Sequence, residues 1–195
     1  KPFNIGDKFL IKPTWEEPKE EDKDKFMIEI DPGISFGTGK HETTQLCIRQ
    51  IRKYMKQGDS ILDVGCGYGP IGIFIKSNID VSVDMIDINE RALGLAKVNA
   101  GLNNVDVNIF ESDIYENINK EYDYIISNPP IRVGKEILYK ILFQAKEHLK
   151  EEGELWIVIN KDQGAKSVAR DLKKEYDVNI VTKNKGFYVI CARNN

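Results

Sequence analysis

The stretch from Ser60 to Gly72, Ser-Ile-Leu-Asp-Val-Gly-Cys-Gly-Tyr-Gly-Pro-Ile-Gly, restricts what this chain can fold into more than any other. Ile61, Leu62 and Val64 form a short apolar run without helical spacing, and the run stops at three alternating glycines, Gly65, Gly67 and Gly69. That pattern reads as a buried strand opening into a loop. Glycine suits such a loop because its backbone visits positive φ and because no side chain keeps a ligand off the main chain. Pro70 fits the first turn of a helix, and Ile71, Phe74 and Ile75 give that helix an apolar face. Strand, glycine loop and helix N-terminus together make a nucleotide-type binding turn.

Spacing separates the nucleotide classes. A phosphate-cradling P-loop requires a glycine, four residues and then Gly-Lys-Ser/Thr. Gly39-Lys40 is followed instead by His41, and Ile34 stands where the first glycine belongs. The dinucleotide pattern G-x-G-x-x-G is met literally by Gly67, Gly69 and Gly72, with Asp87 twenty residues beyond Gly67. Counted from the strand end, the register is Asp63-x-Gly65-x-Gly67-x-Gly69, which resembles motif I of the class I S-adenosylmethionine (SAM) dependent methyltransferases. This resemblance implies an α/β fold: a Rossmann-like, seven-stranded, mostly parallel sheet with an antiparallel last strand and helices on both faces. It also implies SAM as cofactor, held at Asp63, Gly65 and Gly67; NAD is the alternative that the glycines alone leave open.

Further strands supply the rest of a site. Val81 to Asp87 reads as a strand that ends in an acid, and a carboxylate there has two oxygens to accept both ribose hydroxyls. Asp87 takes that role, and Asp84 reads as a face residue. Asn89 can cap the following helix, whose Ala92, Leu93, Ala96 and Ala100 pack on the sheet. A strand over 105–110 leads to Asp113, which the resemblance places at the adenine amino group and which could equally form an ordinary turn. The strand Tyr122 to Ser127 ends in Asn128-Pro129-Pro130-Ile131. Consecutive prolines fix φ and force the chain out of the sheet. The Asn128 side chain and the Pro129 carbonyl then become neighbouring acceptors for a planar NH2 group, at the border of the cofactor. Positioning alone would drive the displacement, without a separate acid or base. Read by itself, the motif is a strand terminator.

The Asn-Pro-Pro tetrapeptide is characteristic of methyltransferases acting on exocyclic amines of adenine or guanine, or on glutamine side chains; Ile131 occupies a fourth position that is usually aromatic. The strings Asn128 to Lys135, Gly153 to Val158 and Gln163 to Ser167 resemble the RsmC-type small-subunit rRNA guanine-N2 methyltransferases, over residues 60–195. Residues 1–57 have another likeness. Asp31-Pro32-Gly33, Phe36-Gly37-Thr38-Gly39 and His41-Glu42-Thr43-Thr44 resemble the PrmA-type ribosomal protein methyltransferases, from which Lys40 and Glu42 depart. By that likeness Phe36, Gly37, Thr38 and Gly39 line the SAM pocket and Thr44 touches the cofactor; Thr43 and Thr44 could instead cap the helix that carries Leu46, Ile48, Ile51, Tyr54 and Met55. PrmA-type enzymes lack Asn-Pro-Pro and add an N-terminal substrate domain, which is not expected here. The substrate motif therefore decides the expectation: methylation of guanine N2 in rRNA, with rRNA or a ribosomal subunit as partner. A ribosomal protein amine is the alternative, and a SAM-binding module without turnover the third reading.

Composition sets bounds. The 195 residues, 41% hydrophobic and 30% charged, suit one globular α/β domain, with N-terminal strands and a cofactor-covering loop over 1–40 and the methyltransferase core over 41–195. No long apolar run or signal-peptide pattern occurs, so no membrane is expected and the cytoplasm is. Cys47, Cys66 and Cys191 are odd in number and scattered, which reads as reduced thiols and no metal site. A net charge of -3 argues against indiscriminate nucleic-acid binding. Lys135, Lys161, Lys166, Arg170, Lys173, Lys174, Lys183 and Lys185 form either a basic C-terminal face for RNA or an ordinary solvated surface. The remaining elements expected are a helix over 135–150, a strand over 155–159, a helix over 165–174 and a closing pair over 178–182 and 187–192.

Overall fold

In the computed structural model, residues 1–5, 7, 9–31, 53–130 and 132–195 are described. The apolar runs form β4 (Ser60–Val64), β5 (Ser82–Asp87), β6 (Asn108–Glu111), β7 (Tyr122–Ser127) and β8 (Leu149–Asn160). They join β9 (Asp177–Asn184) and β10 (Phe187–Arg193) in a seven-stranded sheet of order β6-β5-β4-β7-β8-β10-β9. The β4 to β8 pairings are parallel, and β10 runs antiparallel to both its neighbours. This is the fold class expected from the glycine motif.

Side chains alternate across a strand, so Ile61 faces one side of the sheet and Leu62 the other, and both are fully buried. The first face is covered by α1 (Pro70–Asn78) and α2 (Glu90–Leu102), through Ile73, Phe74, Leu93 and Ala96. The second is covered by α3 (Lys135–Gln144) and α4 (Ala165–Leu172), through Leu138, Leu142, Val168 and Leu172. Burial on both faces explains why the central strands read as continuous apolar runs rather than alternating ones. A small sheet of β1 (Phe3–Ile5), β2 (Phe9–Pro13) and β3 (Phe26–Ile30) adds Phe9, Ile11, Ile28 and Ile30 to the first core. The Phe9 ring meets Phe74 edge-on at 5.2 Å.

The chain runs outward from β4 through β5 to β6 and then returns to place β7 on the other side of β4. That reversal opens a crevice at the carboxyl ends of β4 and β7, where ligands bind in open α/β sheets. Gly65 to Gly69 and Asn128 to Pro130 both lie at this edge.

The structure departs from sequence expectation in three places. The helix expected over 135–150 ends at Gln144; Ala145–His148 forms a 3-10 turn and β8 begins at Leu149. Ala145 and Leu149 are both buried, so the apolar spacing continues through a change of backbone conformation. The strand expected from Val105 starts at Asn108, because Asn104 at φ 52° and a Val105 N–H bond to the Ala100 carbonyl finish the helix first. β1 was not anticipated. The helix expected after Thr44 falls mostly outside the described residues. Among the described residues no helix is long and apolar enough to cross a membrane.

Candidate functional site

The glycine loop is laid against the end of β5 by its own backbone. The N–H groups of Gly65 and Cys66 both donate to the Ile86 carbonyl, each at 2.9 Å. Gly65 has φ 71° and Gly67 φ 57°, and a Cβ added to either would meet none of the described residues within 4 Å. Glycine is thus required there by backbone angle, and the space above the loop is open to a ligand. The Asp87 carboxylate closes the turn: Oδ2 accepts the Gly67 N–H at 2.9 Å and Oδ1 accepts the Asn89 N–H at 2.9 Å. Each oxygen keeps a lone pair for a further donor. Ile88, next to it, is 62% exposed, an apolar side chain at a polar edge that sequence reasoning did not single out.

Asp63 is 2% exposed and its Oδ2 has no hydrogen-bond partner. Burial pushes its carboxyl up to about 7, the Gly72 N–H opposes the shift and the Asp87 charge adds to it. An orphaned acidic oxygen beside a glycine cradle suits a cationic ligand, and SAM carries both an ammonium and a sulfonium. The residues present therefore fit this cofactor.

A second feature was not singled out from the sequence. Asn99 of α2 is fully buried; its Oδ1 accepts the Asp31 N–H at 2.5 Å, and its Nδ2 donates to the Asp31 carbonyl at 3.0 Å and to the Tyr68 carbonyl at 2.8 Å. One turn on, Asn103 pairs likewise with Glu29, accepting its N–H at 3.0 Å and donating to its carbonyl at 2.7 Å. The helix thus stands in for a missing strand beside β3, and Asn99 ties the end of β3 to the glycine loop. Two asparagines four apart on the same side as Ala96 and Ala100 were the available signal.

On the other side of the crevice, Ser127 Oγ donates to the Val64 carbonyl at 3.0 Å, joining the ends of β7 and β4. Asn128 is half-buried, Pro129 buried and Pro130 exposed. The Pro130 carbonyl accepts the Val133 N–H at 3.0 Å and Gln163 Nε2 at 2.9 Å. Asp113 is exposed beyond β6; the Ser112 N–H before it donates to the Asp87 carbonyl at 3.2 Å, which keeps this turn beside β5. Phe36, Gly37, Thr38, Gly39, Thr44 and Ile131 lie outside the described residues. Asp84 is buried and accepts from Tyr122 Oη at 2.5 Å, Asn108 Nδ2 at 2.9 Å and Lys120 Nζ at 3.2 Å. It lines a 470 Å³ cavity towards the amino ends of the strands, away from Asp87 and Asn128.

Comparison with known proteins agrees with this geometry. Residues 26–191 match the methyltransferase small domain family. The uncharacterized protein YbxB of Bacillus subtilis is 47% identical over 173 residues, covering 86% of each chain. A ribosomal protein L11 methyltransferase of Dictyoglomus turgidum is 34% identical over 96% of this chain, which spans 62% of that protein's length. Among solved structures, a ribosomal protein L11 methylase from Lactobacillus delbrueckii subsp. bulgaricus superimposes with a TM-score of 0.85 at 26% identity, covering 100% of this chain and 98% of the other. The 16S rRNA N2 methyltransferase RsmC of T. thermophilus, solved with AdoMet and guanosine, superimposes with a TM-score of 0.70 at 18% identity over 78% of this chain and 43% of its own, a likeness of fold. By name, these relatives stand nearer the ribosomal protein alternative than the rRNA expectation. This chain belongs to the methyltransferase small domain family and is a SAM-dependent methyltransferase.

Proposed function

We propose that the chain transfers the methyl group of SAM to an exocyclic amine, guanine N2 in small-subunit rRNA. The observation that carries this reading is the Asn128-Pro129-Pro130 turn, held at the end of β7 beside the glycine loop by Ser127 and Gln163. SAM, when bound, supplies a methyl group on a positively charged sulfur. The Asp87 oxygens take the ribose hydroxyls, Asp113 the adenine amino group and Asp63 the cationic end, with Gly65 and Gly67 giving way to the cofactor. Phe36, Gly37, Thr38, Gly39 and Thr44 are assigned to the cofactor by the PrmA-type resemblance alone. The Asn128 side-chain carbonyl and the Pro129 carbonyl accept the two N–H groups of a planar amine. Held so, the nitrogen would be presented to the methyl group; the N–C bond would form as the S–C bond breaks, S-adenosylhomocysteine would leave and the surplus N–H proton would pass to solvent, so these residues would contribute chiefly positioning. Pro130 would border the base, and Ile131 is assigned to the acceptor side by its place in the motif alone.

Basic side chains support an RNA partner. Lys161 and Lys183 are exposed at the carboxyl edge, where the Lys161 N–H bonds the Gly186 carbonyl at 2.8 Å and the Lys183 ammonium sits 4.9 Å from the Tyr188 ring centre. Arg170 of α4 and Lys174 just beyond its end pair with Asp171. Buried free thiols at Cys66 and Cys191 fit the cytoplasm.

A second reading, methylation of a ribosomal protein amine, is favoured by the names of the L11 methyltransferase relatives. Transfer of labelled methyl from SAM to naked small-subunit rRNA, assembled subunits and ribosomal protein L11, offered in parallel, separates the two. Label in RNA that disappears with Asn128→Ala supports the first reading. Label in L11 replaces it with the second, and no label beside measurable SAM binding leaves a binding module.

A further inference from the structure

We propose that Gln163 is a positioning residue for the methyl acceptor, fixing through the Pro130 carbonyl where the Asn128 and Pro129 acceptors stand. This rests on the reading of Asn128-Pro129-Pro130 as the acceptor turn. Gln163 closes a 3-10 turn, Lys161–Gln163, that follows β8 directly. Its Oε1 accepts the Asn160 N–H at 3.0 Å, while Asn160 Oδ1 accepts the Asp162 N–H at 2.8 Å, a reciprocal cap. Its Nε2 then reaches out of the turn to the Pro130 carbonyl at 2.9 Å.

The amide is usable in only one orientation. With Oε1 facing an N–H and Nε2 facing a carbonyl, both bonds form; turned over, acceptor would face acceptor and donor would face donor. The anchor end is rigid, because Asn160 pairs with Phe187 of β10 and the next residue's N–H bonds Gly186. The Val133 N–H bond to the Pro130 carbonyl shapes the loop locally, whereas Gln163 fixes it relative to the next strand. Reacting groups must be held within about 0.5 Å, and a 1 Å misplacement can cost about 100-fold in rate. A cross-strand tether two residues from Asn128 is well placed to set that distance.

Gln163→Glu gives a readout that a merely structural side chain would not. As a carboxylate it still accepts from Asn160 but turns a negative oxygen towards the Pro130 carbonyl. When protonated it matches the amide, with C=O to Asn160 and O–H to Pro130. An unperturbed Glu has a pKa of about 4.3 and this repulsion raises it. We expect kcat of Gln163→Glu, relative to wild type at the same pH, to be at least 10-fold low at pH 8 and to recover towards pH 5.5. Gln163→Ala should lose a similar factor at every pH. The Kd for SAM should stay within 2-fold in both variants, since neither bond touches Asp63, Gly67 or Asp87.

The test measures methyl transfer to small-subunit rRNA and to L11 from pH 5.5 to 8, SAM binding by calorimetry, and hydrogen exchange of the Val133 amide. Exchange at Val133 should quicken in Gln163→Ala while that of Gly67 is unchanged. Wild-type kcat in both variants, on whichever acceptor wild type methylates, overturns the proposal. If wild type methylates neither acceptor, the proposed function fails separately and exchange decides: quickened Val133 exchange supports the tether, and unchanged exchange overturns it.

Discussion

At the scale of single residues, the cofactor site turns on charge state and on the absence of side chains. Burial raises the Asp63 carboxyl to about 7, against about 3.9 for an aspartate in an unfolded chain. Between those values the folded chain holds a proton that the unfolded chain has lost, so this group's contribution to stability falls as pH rises from about 4 to about 7 and is flat above. Asp63→Asn should remove that slope and raise the melting temperature at pH 8, by an amount that vanishes at pH 4. A cationic ligand favours the carboxylate, so SAM binding to wild type should release protons near pH 6 and weaken as pH falls. Calorimetry in buffers of different ionisation enthalpy reads this directly; an equal proton release in Asp63→Asn would assign it elsewhere. Gly67 makes the complementary case. At φ 57° with open space above, Gly67→Ala should cost about 1–2 kcal/mol of stability. The new methyl group projects where a ligand must lie, so the loss in SAM affinity should be larger, at least 10-fold by titration.

At the scale of elements, α2 has a role that helix propensity does not disclose. Asn99→Leu would strand the Asp31 N–H, the Asp31 carbonyl and the Tyr68 carbonyl, at about 1–3 kcal/mol for each buried group left unpaired. Asn103→Leu strands only the Glu29 pair, since the Asn99 carbonyl that Asn103 Nδ2 also reaches keeps the Asn103 backbone N–H. Both variants should melt earlier, but only Asn99→Leu, whose partner lies in the glycine loop, should also weaken SAM binding. Equal effects on binding would show that α2 acts through global stability alone. This helix also marks how far the sequence is legible. Ile61, Leu62 and Val64, or Tyr122, Tyr124, Ile125 and Ile126, announced their strands because burial on both faces puts apolar residues at adjacent positions, interrupted within each by a single aspartate, Asp63 or Asp123. The end of α3 was misplaced because Ala145 and Leu149 stay buried across the switch from helix to strand. Spacing reports burial, and it is silent on which backbone conformation achieves it. The Asn99 clamp was hidden for another reason: its partners are main-chain groups 68 and 31 residues away in sequence, at Asp31 and Tyr68, and main-chain partners carry no residue-type signal.

At the scale of the whole molecule, the cofactor half of the crevice hangs on β4 and β5, and the acceptor half on β7 and β8. Asp63, the glycines, Asp87 and Asn128 stand out in the sequence because each is a residue type whose chemistry is rare at a strand end, and the fold brings them to one edge of the sheet. Gln163 was noted only within a string, since a glutamine after a strand has many uses and its partner at Pro130 exists only once β7 and β8 are neighbours. The same separation leaves the acceptor class to be decided at the far rim, where Lys161 and Lys183 flank the β8–β10 edge next to the acceptor turn. An RNA acceptor binds such a rim by displacing condensed counterions, so affinity falls with salt roughly in proportion to the number of phosphate contacts. The double variant Lys161→Glu/Lys183→Glu should weaken small-subunit rRNA binding at least 10-fold at low salt and flatten the plot of log affinity against log salt by about one unit per lysine engaged. SAM affinity should be unchanged, because neither lysine neighbours the glycine loop. A protein acceptor offers no condensed counterion layer, so the same variant would leave the salt slope for ribosomal protein L11 small in both forms. A wild-type salt slope near zero for rRNA would remove the electrostatic argument for an RNA partner and leave the acceptor turn as its sole support.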